Sequence, residues 1–384
     1  MNHPIIIIGA GLSSYQLARE FRKLDQTTPL QIITADDGHF YSKPQLSNAF
    51  ATKRSAETLV NANAATMAKQ LNATITTQSK VTRIDPTEKK IFCGEHIYPY
   101  SKLVLACGAE VIKPPLVGSG VEAILSVNHI HDYAHFRESI LEKRHIVIFG
   151  AGLIGCEFAN DLIDAGFEVH VIAPANAPID LLIPEQIGHL LQKALEQKGV
   201  HFHFGCLAHR VEKNKAQLSI ELSNGETLTA DCILSAIGLT PSLTLAKTAH
   251  IHTNRGIVVN HFLETNYADI YALGDCAEVE GQVLPFIIPL LMCGRALAHT
   301  LAGTRTAVHY PAAMPITVKT PAYPIVICLP PKNINGEWQT EIKENNARAL
   351  FYDAEKNLRG FILTKEYVTE RAHHLQQIPV EQHP

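Results

Sequence analysis

Two short glycine turns carry the residues whose types and spacing point to chemistry. Gly9-Ala10-Gly11-Leu12 follows the β-branched run Ile5–Ile8, and Gly150-Ala-Gly152-Leu153 follows Ile146–Phe149. Each turn opens onto apolar residues at three- and four-residue spacing, which predicts a helix. The expected buried stripe is Leu12, Tyr15, Leu17, Ala18, Phe21 and Leu24 in the first copy, and Ile154, Phe158, Leu162 and Ile163 in the second. Gly166 is placed to end the second helix just past its last turn. Further apolar runs follow, Leu30–Thr34 and Val169–Ile172. In such a turn the first glycine permits a tight bend, the second lets the backbone approach a pyrophosphate, and the third lets helix and strand pack closely. Amides at the helix N-terminus then hold the anion. One turn of this kind is weak evidence, but two in full strand–turn–helix–strand context mark two dinucleotide sites. The second copy is intact, with Gly155 in third place. The first has Ser14 there, small enough to pack at some cost.

The elements that must position these turns are strands ending in small residues. Leu103–Ala109 (LVLACGA), Ile233–Leu239 (ILSAIGL) and Ile270–Ala277 (IYALGDCA) share that shape, and a glycine at a strand end is a place where backbone can touch a ligand. The chain has 384 residues, 46% hydrophobic and 18% charged, with net charge −4. That length suits two or three domains. The charge argues against a nucleic-acid binder, which carries a basic stripe. The opening MNHPIIIIGAG lacks the basic start of a signal peptide, and no run approaches the roughly 18 apolar residues of a membrane span. The expectation is a cytoplasmic protein without membrane insertion. The eight cysteines include no C-x-x-C and no zinc spacing, so they read as reduced, buried thiols, and no metal site is expected.

The two turns with Thr265-Asn-Tyr-Ala-Asp-Ile-Tyr-Ala-Leu-Gly274-Asp275 resemble the two-dinucleotide-binding-domain flavoprotein family, the pyridine-nucleotide disulfide reductases and the ferredoxin or rubredoxin reductases. The resemblance spans nearly the whole chain. It implies an α/β fold with two Rossmann-like three-layer domains and a small α+β C-terminal domain. A discontinuous FAD domain (1–112 and 240–310) would carry an inserted NAD domain (113–239), followed by residues 311–384. The C-terminal runs Ala349–Tyr352 and Gly360–Leu363 read as a hairpin; the proline-rich stretch 320–331 is left without an assigned element.

On this resemblance Gly9, Ala10, Gly11, Leu12, Ser13 and Ser14 hold the FAD pyrophosphate. Thr34, Ala35 and Asp36 meet the adenosine ribose; Asp37 is also available, and a solvated Asp-Asp-Gly turn explains the same residues equally well. Asp275 accepts from a ribitol hydroxyl. Val81, Ala106, Gly108, Gly238 and Gly274 complete the cofactor-binding set. Gly150, Gly152, Leu153, Ile154 and Gly155 hold the nicotinamide dinucleotide. The acid expected about 20 residues on is missing, because Val169–Ile172 leads into Ala173 and Pro174, and no arginine stands there either. NADH is the expected coenzyme, with NADPH as the alternative. Relatives pair a lysine with a glutamate beside the flavin, which implies that role for Lys43, next to Pro44, and Glu157.

Family members that pass electrons through sulfur carry a cysteine near the Lys43 segment, whereas here the first is Cys93. Ser42-Lys-Pro-Gln-Leu-Ser47, Leu17–Leu24, Ile33–Gly38, Gly155–Leu162 and Met314–Pro321 resemble the bacterial rubredoxin–NAD reductases. That implies direct transfer from flavin to a small acidic iron protein, rubredoxin, in alkane hydroxylation or oxygen detoxification. Lys319 would face the flavin, and Lys43, Arg295 and Lys319 are candidates for a basic docking patch. A monomer is expected. The alternatives are a ferredoxin reductase of an oxygenase system and an FAD/NADH-binding signalling or structural protein without turnover.

Overall fold

Four consecutive isoleucines leave no polar side for a strand to turn toward water, so Ile5–Ile8 must be covered on both faces. In the computed structural model, which describes residues 3–379, all four are buried. The strands of the two parallel sheets are, in chain order, β1 (Ile5–Ile8), β2 (Leu30–Ile33), β3 (Thr74–Thr76), β4 (Lys102–Leu105), β5 (Ile124–Leu125), β6 (His145–Phe149), β7 (Glu168–Ala173), β8 (Val200–Phe204), β9 (Cys232–Ser235) and β10 (Ile270–Ala272). The C-terminal strands are β11 (Ile316–Val318), β12 (Ile325–Cys328), β13 (Gly336–Lys343), β14 (Asn346–Asp353) and β15 (Leu358–Thr364). Three helices matter most: α1 (Leu12–Leu24), α2 (Leu153–Asp164) and α3 (Ile287–Leu301).

The chain forms two compact units. The first takes the chain up to Ser42, Glu57–Glu110 and Leu239–Tyr310. Its parallel sheet runs β10-β4-β1-β2-β3, with Ile5 in register with both Leu30 and Lys102. Crossover connections put helices over such a sheet. α1 and α3 pack closely: a β-carbon added at Gly294 would lie 3.5 Å from Leu17 N. Ser14 is fully buried, and among the described residues its hydroxyl has no hydrogen-bond partner. Serine thus fits the third position of the turn, but with an unsatisfied group. A buried polar atom left unpaired costs about 1–3 kcal/mol. Ser14→Ala should therefore unfold later in denaturant, by about 1 kcal/mol or more. A loss of stability together with weaker FAD binding would show that the hydroxyl serves the bound cofactor.

The second unit takes Lys43–Ala56, Val111–Gly238 and the chain from Pro311 onward. Its parallel sheet runs β5-β9-β6-β7-β8. An antiparallel meander, Ala208–Asn214, Gln217–Leu222 and Thr227–Ala230, packs on one face through Val211, Leu218 and Ile220 against Val147, Phe149 and Ile172. The C-terminal part is a five-stranded antiparallel sheet, β11-β12-β15-β14-β13, whose core includes Val326, Phe361 and Leu363. The helix Arg371–Gln377 follows it.

The fold departs from the sequence reading in three places. Lys43–Ala56 groups with the second unit although the expected boundary put it in the first. The cause is polar: the buried carboxylate of Asp161 accepts from the amides of Phe50 (2.7 Å) and Ala51 (3.0 Å). Leu24 and Ile154 leave their predicted stripes, at 46% and 45% exposed, because one closes the last turn of its helix and the other stands in the first turn. Finally, the unassigned proline-rich stretch contains β12, all four of whose residues are buried.

Candidate functional site

In the first unit every predicted cofactor residue follows the carboxyl end of a strand of one parallel sheet, or lies in a loop beside it. Gly9 follows β1, Thr34 follows β2, Ala106 follows β4, and Gly274 lies two residues beyond β10. Open α/β sheets bind ligands along that edge. Gly9 has φ +106°, donates to Ile33 O (2.8 Å), and would place a β-carbon 2.3 Å from Ala106 O. Gly11 caps α1 in extended conformation with no side-chain cap, and nothing lies within 4 Å of its β-carbon position. The first helical bond is Tyr15 N to Gly11 O (3.1 Å), so the amides before it have no partner within the helix. Gly274, φ +80°, sits against Ser13: its β-carbon would meet Ser13 Oγ at 2.7 Å. Val81 is buried in this unit's core, Gly108 has φ +68°, and Asp275 is half-buried. These residues fit a dinucleotide phosphate. Asp36 is less available than expected. Its Oδ1 accepts from Thr34 Oγ1 (2.6 Å) and Gly38 N (3.0 Å), so it shapes its own turn.

The second unit repeats the cradle. Gly150 has φ +101°, donates to Ile172 O (2.8 Å), and would drive a β-carbon to 2.6 Å from Ala236 O. Gly152 caps α2 without a side-chain cap and with open space around its β-carbon position. A β-carbon at Gly155 would lie 2.0 Å from Gly150 O, the close helix–strand approach the third glycine permits. Gly166, φ +94°, follows the C-cap Ala165 as expected. Ser235 ends β9 in register with Phe149. Its hydroxyl is buried and has no partner among the described residues, an orphaned group at the cradle that a bound dinucleotide could satisfy. Gly238 has φ +115°.

Beyond this cradle α2 carries three buried polar side chains. Glu157 is 3% exposed. Its Oε2 accepts from Ser47 Oγ (2.5 Å) and holds the Lys319 ammonium, while Oε1 accepts from Lys319 N (2.9 Å). The resemblance had assigned Lys43 as the partner of Glu157. The structure brings Lys319 to that carboxylate, from 162 residues away, and Lys43 opens the 3₁₀ turn Lys43–Asn48 with Pro44. Asn160 Oδ1 accepts from Ala322 N (3.0 Å). Burial raises the pKa of Asp161 above the ordinary carboxylate value, against the pull of the backbone amides it accepts from. Sequence reasoning missed Ser47, Asn160, Asp161 and Ser235. On α2 the available signal was the polar residues at Glu157 and one turn later in a run, 153–163, that is otherwise apolar.

All eight cysteines are free thiols. Burial pushes Cys232, Cys276, Cys293 and Cys328 up to about 11, and Cys107 and Cys156 further still. That is the reverse of a reactive thiolate. Among the described residues no group of three His, Cys, Asp or Glu could hold a metal ion, and no helix is long and apolar enough to cross a membrane. Arg295 is exposed on α3 of the first unit, whereas Lys43 and Lys319 belong to the second.

Two phosphate cradles, each on its own parallel sheet, with no activated thiol near either strand edge, define a protein that holds two dinucleotides. The comparisons agree. The profile of the pyridine nucleotide-disulphide oxidoreductases matches residues 3–301, and that of the rubredoxin binding C-terminal domain matches residues 307–378. The rubredoxin-NAD(+) reductase of Alcanivorax borkumensis is 46% identical over 378 residues, covering 98% of this chain and 99% of that protein. The enzyme of the same name from Acinetobacter baylyi is 46% identical over 369 residues, 94% of each chain. A ferredoxin reductase structure from Rhodopseudomonas palustris superposes with a TM-score of 0.88 at 22% identity, covering 99% of this chain and 96% of that one. The chain belongs to the pyridine nucleotide-disulphide oxidoreductase family.

Proposed function

We propose that the chain is an FAD-dependent NADH oxidoreductase that passes electrons one at a time to rubredoxin, a rubredoxin–NAD(+) reductase acting in the cytoplasm. The observation that carries this reading is the pair of cradles, supported by the full-length likeness to rubredoxin-NAD(+) reductases and the match of residues 307–378. Residues Gly9–Ser14 hold the FAD pyrophosphate on the amides that open α1, and Gly150–Gly155 hold NADH in the same way on α2. FAD, when bound, supplies the conversion from two-electron to one-electron transfer. The chain contributes position and charge: Glu157 fixes the Lys319 ammonium, and a cation near the ring favours the electron-rich reduced form. The raised thiols leave no sulfur relay to compete.

The test is an anaerobic NADH titration of the yellow protein, followed by purified rubredoxin or a [2Fe–2S] ferredoxin. Bleaching by NADH and rapid reoxidation by rubredoxin are expected. Ferredoxin reduced faster by a wide margin would overturn the choice of partner, and no bleaching would overturn the enzyme.

Coenzyme choice should be weakly enforced. β7 ends at Ala173, and Pro174, Ala175 and Asn176 follow, with no carboxylate for a ribose 2′-hydroxyl and no cation for a 2′-phosphate. Pro174 is exposed. Pro174→Arg should shift the ratio of kcat/KM for NADPH over NADH upward by roughly tenfold, the worth of one charge-assisted hydrogen bond. An unchanged ratio would place the adenosine ribose elsewhere.

A further inference from the structure

The three polar residues of α2 hold segments that are far apart in the chain. Glu157 binds Ser47 and Lys319, Asn160 binds the amide of Ala322, and Asp161 binds the amides of Phe50 and Ala51. Asn160 and Asp161 are 1% and 4% exposed, so these bonds are made away from water. Asn160 is itself fixed, since its Nδ2 donates to Asp164 Oδ2 at 2.7 Å. A buried carboxylate facing two backbone N–H groups is a specific device. No apolar residue could accept those bonds, and a carboxamide could present its oxygen to only one of them. The helix that carries them begins at the second cradle, with Gly152 as its cap. One helix therefore links the amides that meet a pyrophosphate to the segments bearing Lys43 and Lys319.

We propose that Asn160 and Asp161 are positioning residues for the electron transfer: they fasten the 43–51 and 319–322 segments to the dinucleotide helix and so fix where the Lys319 ammonium sits. Glu157 alone does not suffice. It grips Lys319 at its amide and its ammonium, but the segments on either side could still slide. Asn160 holds the chain three residues beyond Lys319, and Asp161 holds it three and four residues beyond Ser47. The inference rests on the proposed function for the statement that these lysines serve a flavin. It does not rest on it for the fastening.

The test uses the FAD-loaded full chain with Asp161→Asn, Asn160→Ala, Lys319→Met and the two double variants that combine each of the first two with Lys319→Met. Amide hydrogen exchange reads the fastening without any reference to catalysis: exchange at 49–51 should rise in Asp161→Asn, and exchange around Ala322 in Asn160→Ala. The flavin midpoint potential, measured by dye-coupled anaerobic titration, reads the positioning. Lys319→Met should lower it, each single variant should lower it in the same direction, and adding either to Lys319→Met should change nothing more. NADH-driven flavin reduction should slow at least tenfold in the single variants, as expected for misplaced groups, with the KM for NADH within about twofold. Faster exchange with an unchanged potential, or shifts that add in the double variants, would overturn the positioning role. Unchanged exchange would overturn the fastening. If Asp161→Asn does not fold, Asn160→Ala, which removes an uncharged carboxamide with its bonds to Ala322 and Asp164, decides the matter alone. A wild-type protein with no flavin would end the proposed function, while the exchange data would still judge the fastening.

Discussion

Gly11→Asp should purify as a folded protein without its yellow colour. The substitution separates the site from the fold because Gly11 is not strained. Its φ of −77° suits any residue, and nothing lies within 4 Å of the new β-carbon. Aspartate is also a favoured helix cap where the native chain has no side-chain cap, and its charge suits the positive end of α1. The fold should gain a few tenths of a kcal/mol up to about 1 kcal/mol. The same carboxylate stands where the FAD pyrophosphate must sit. Two like charges about 4 Å apart repel by about 4 kcal/mol at an effective dielectric of 20, roughly a thousandfold in affinity. Flavin absorbance per protein and thermal unfolding by circular dichroism check both halves. Gly9→Ala makes the contrast. With φ +106° and a clash with Ala106 O at 2.3 Å, it should lose flavin and stability together. A yellow Gly11→Asp protein would mean that the α1 terminus does not hold the phosphate.

Both cradles were legible in the sequence because their chemistry is local. A glycine turn, the strand before it and the helix after it lie within some 20 consecutive residues, and Ile5–Ile8 announces its burial by having no polar face. The hairpin of β14 and β15 was legible for the same reason. What could not be read depends on partners distant in the chain. The partner of Glu157 is Lys319, and the residues fixing Phe50 and Ala51 lie on α2. Nothing in the spacing of lysines says which one folding brings to a given carboxylate. The burial of β12 was hidden by Pro324, Pro330 and Pro331, which read as loop. Those prolines lie outside Ile325–Cys328, where their missing N–H costs the ladder nothing. Leu24 and Ile154 misled in the opposite way. Periodicity assigned them to a buried stripe, but Leu24 closes the last turn of α1 and Ile154 stands in the first turn of α2, and both are exposed there.

Gly152→Asp should give the complementary phenotype: a yellow protein that NADH no longer reduces. Gly152 shares the local geometry of Gly11: it has φ −72°, caps α2 without a side-chain bond, and has open space around its β-carbon position. The consequences differ because this cradle belongs to the second unit, whereas the residues assigned to FAD lie on the first unit's sheet. Flavin content should stay at the native level, and chemical reduction by dithionite should proceed normally. The KM for NADH should rise by two to three orders of magnitude, the same repulsion of about 4 kcal/mol acting on a substrate phosphate. The maximal rate of flavin reduction, extrapolated to saturating NADH, should fall far less, because the carboxylate opposes binding of ground and transition states alike. Gly11→Asp and Gly152→Asp together form a double dissociation that one shared dinucleotide site cannot produce. If both variants lost flavin, or if Gly152→Asp kept its native KM for NADH, the second cradle would be structural and the nicotinamide would have to enter elsewhere.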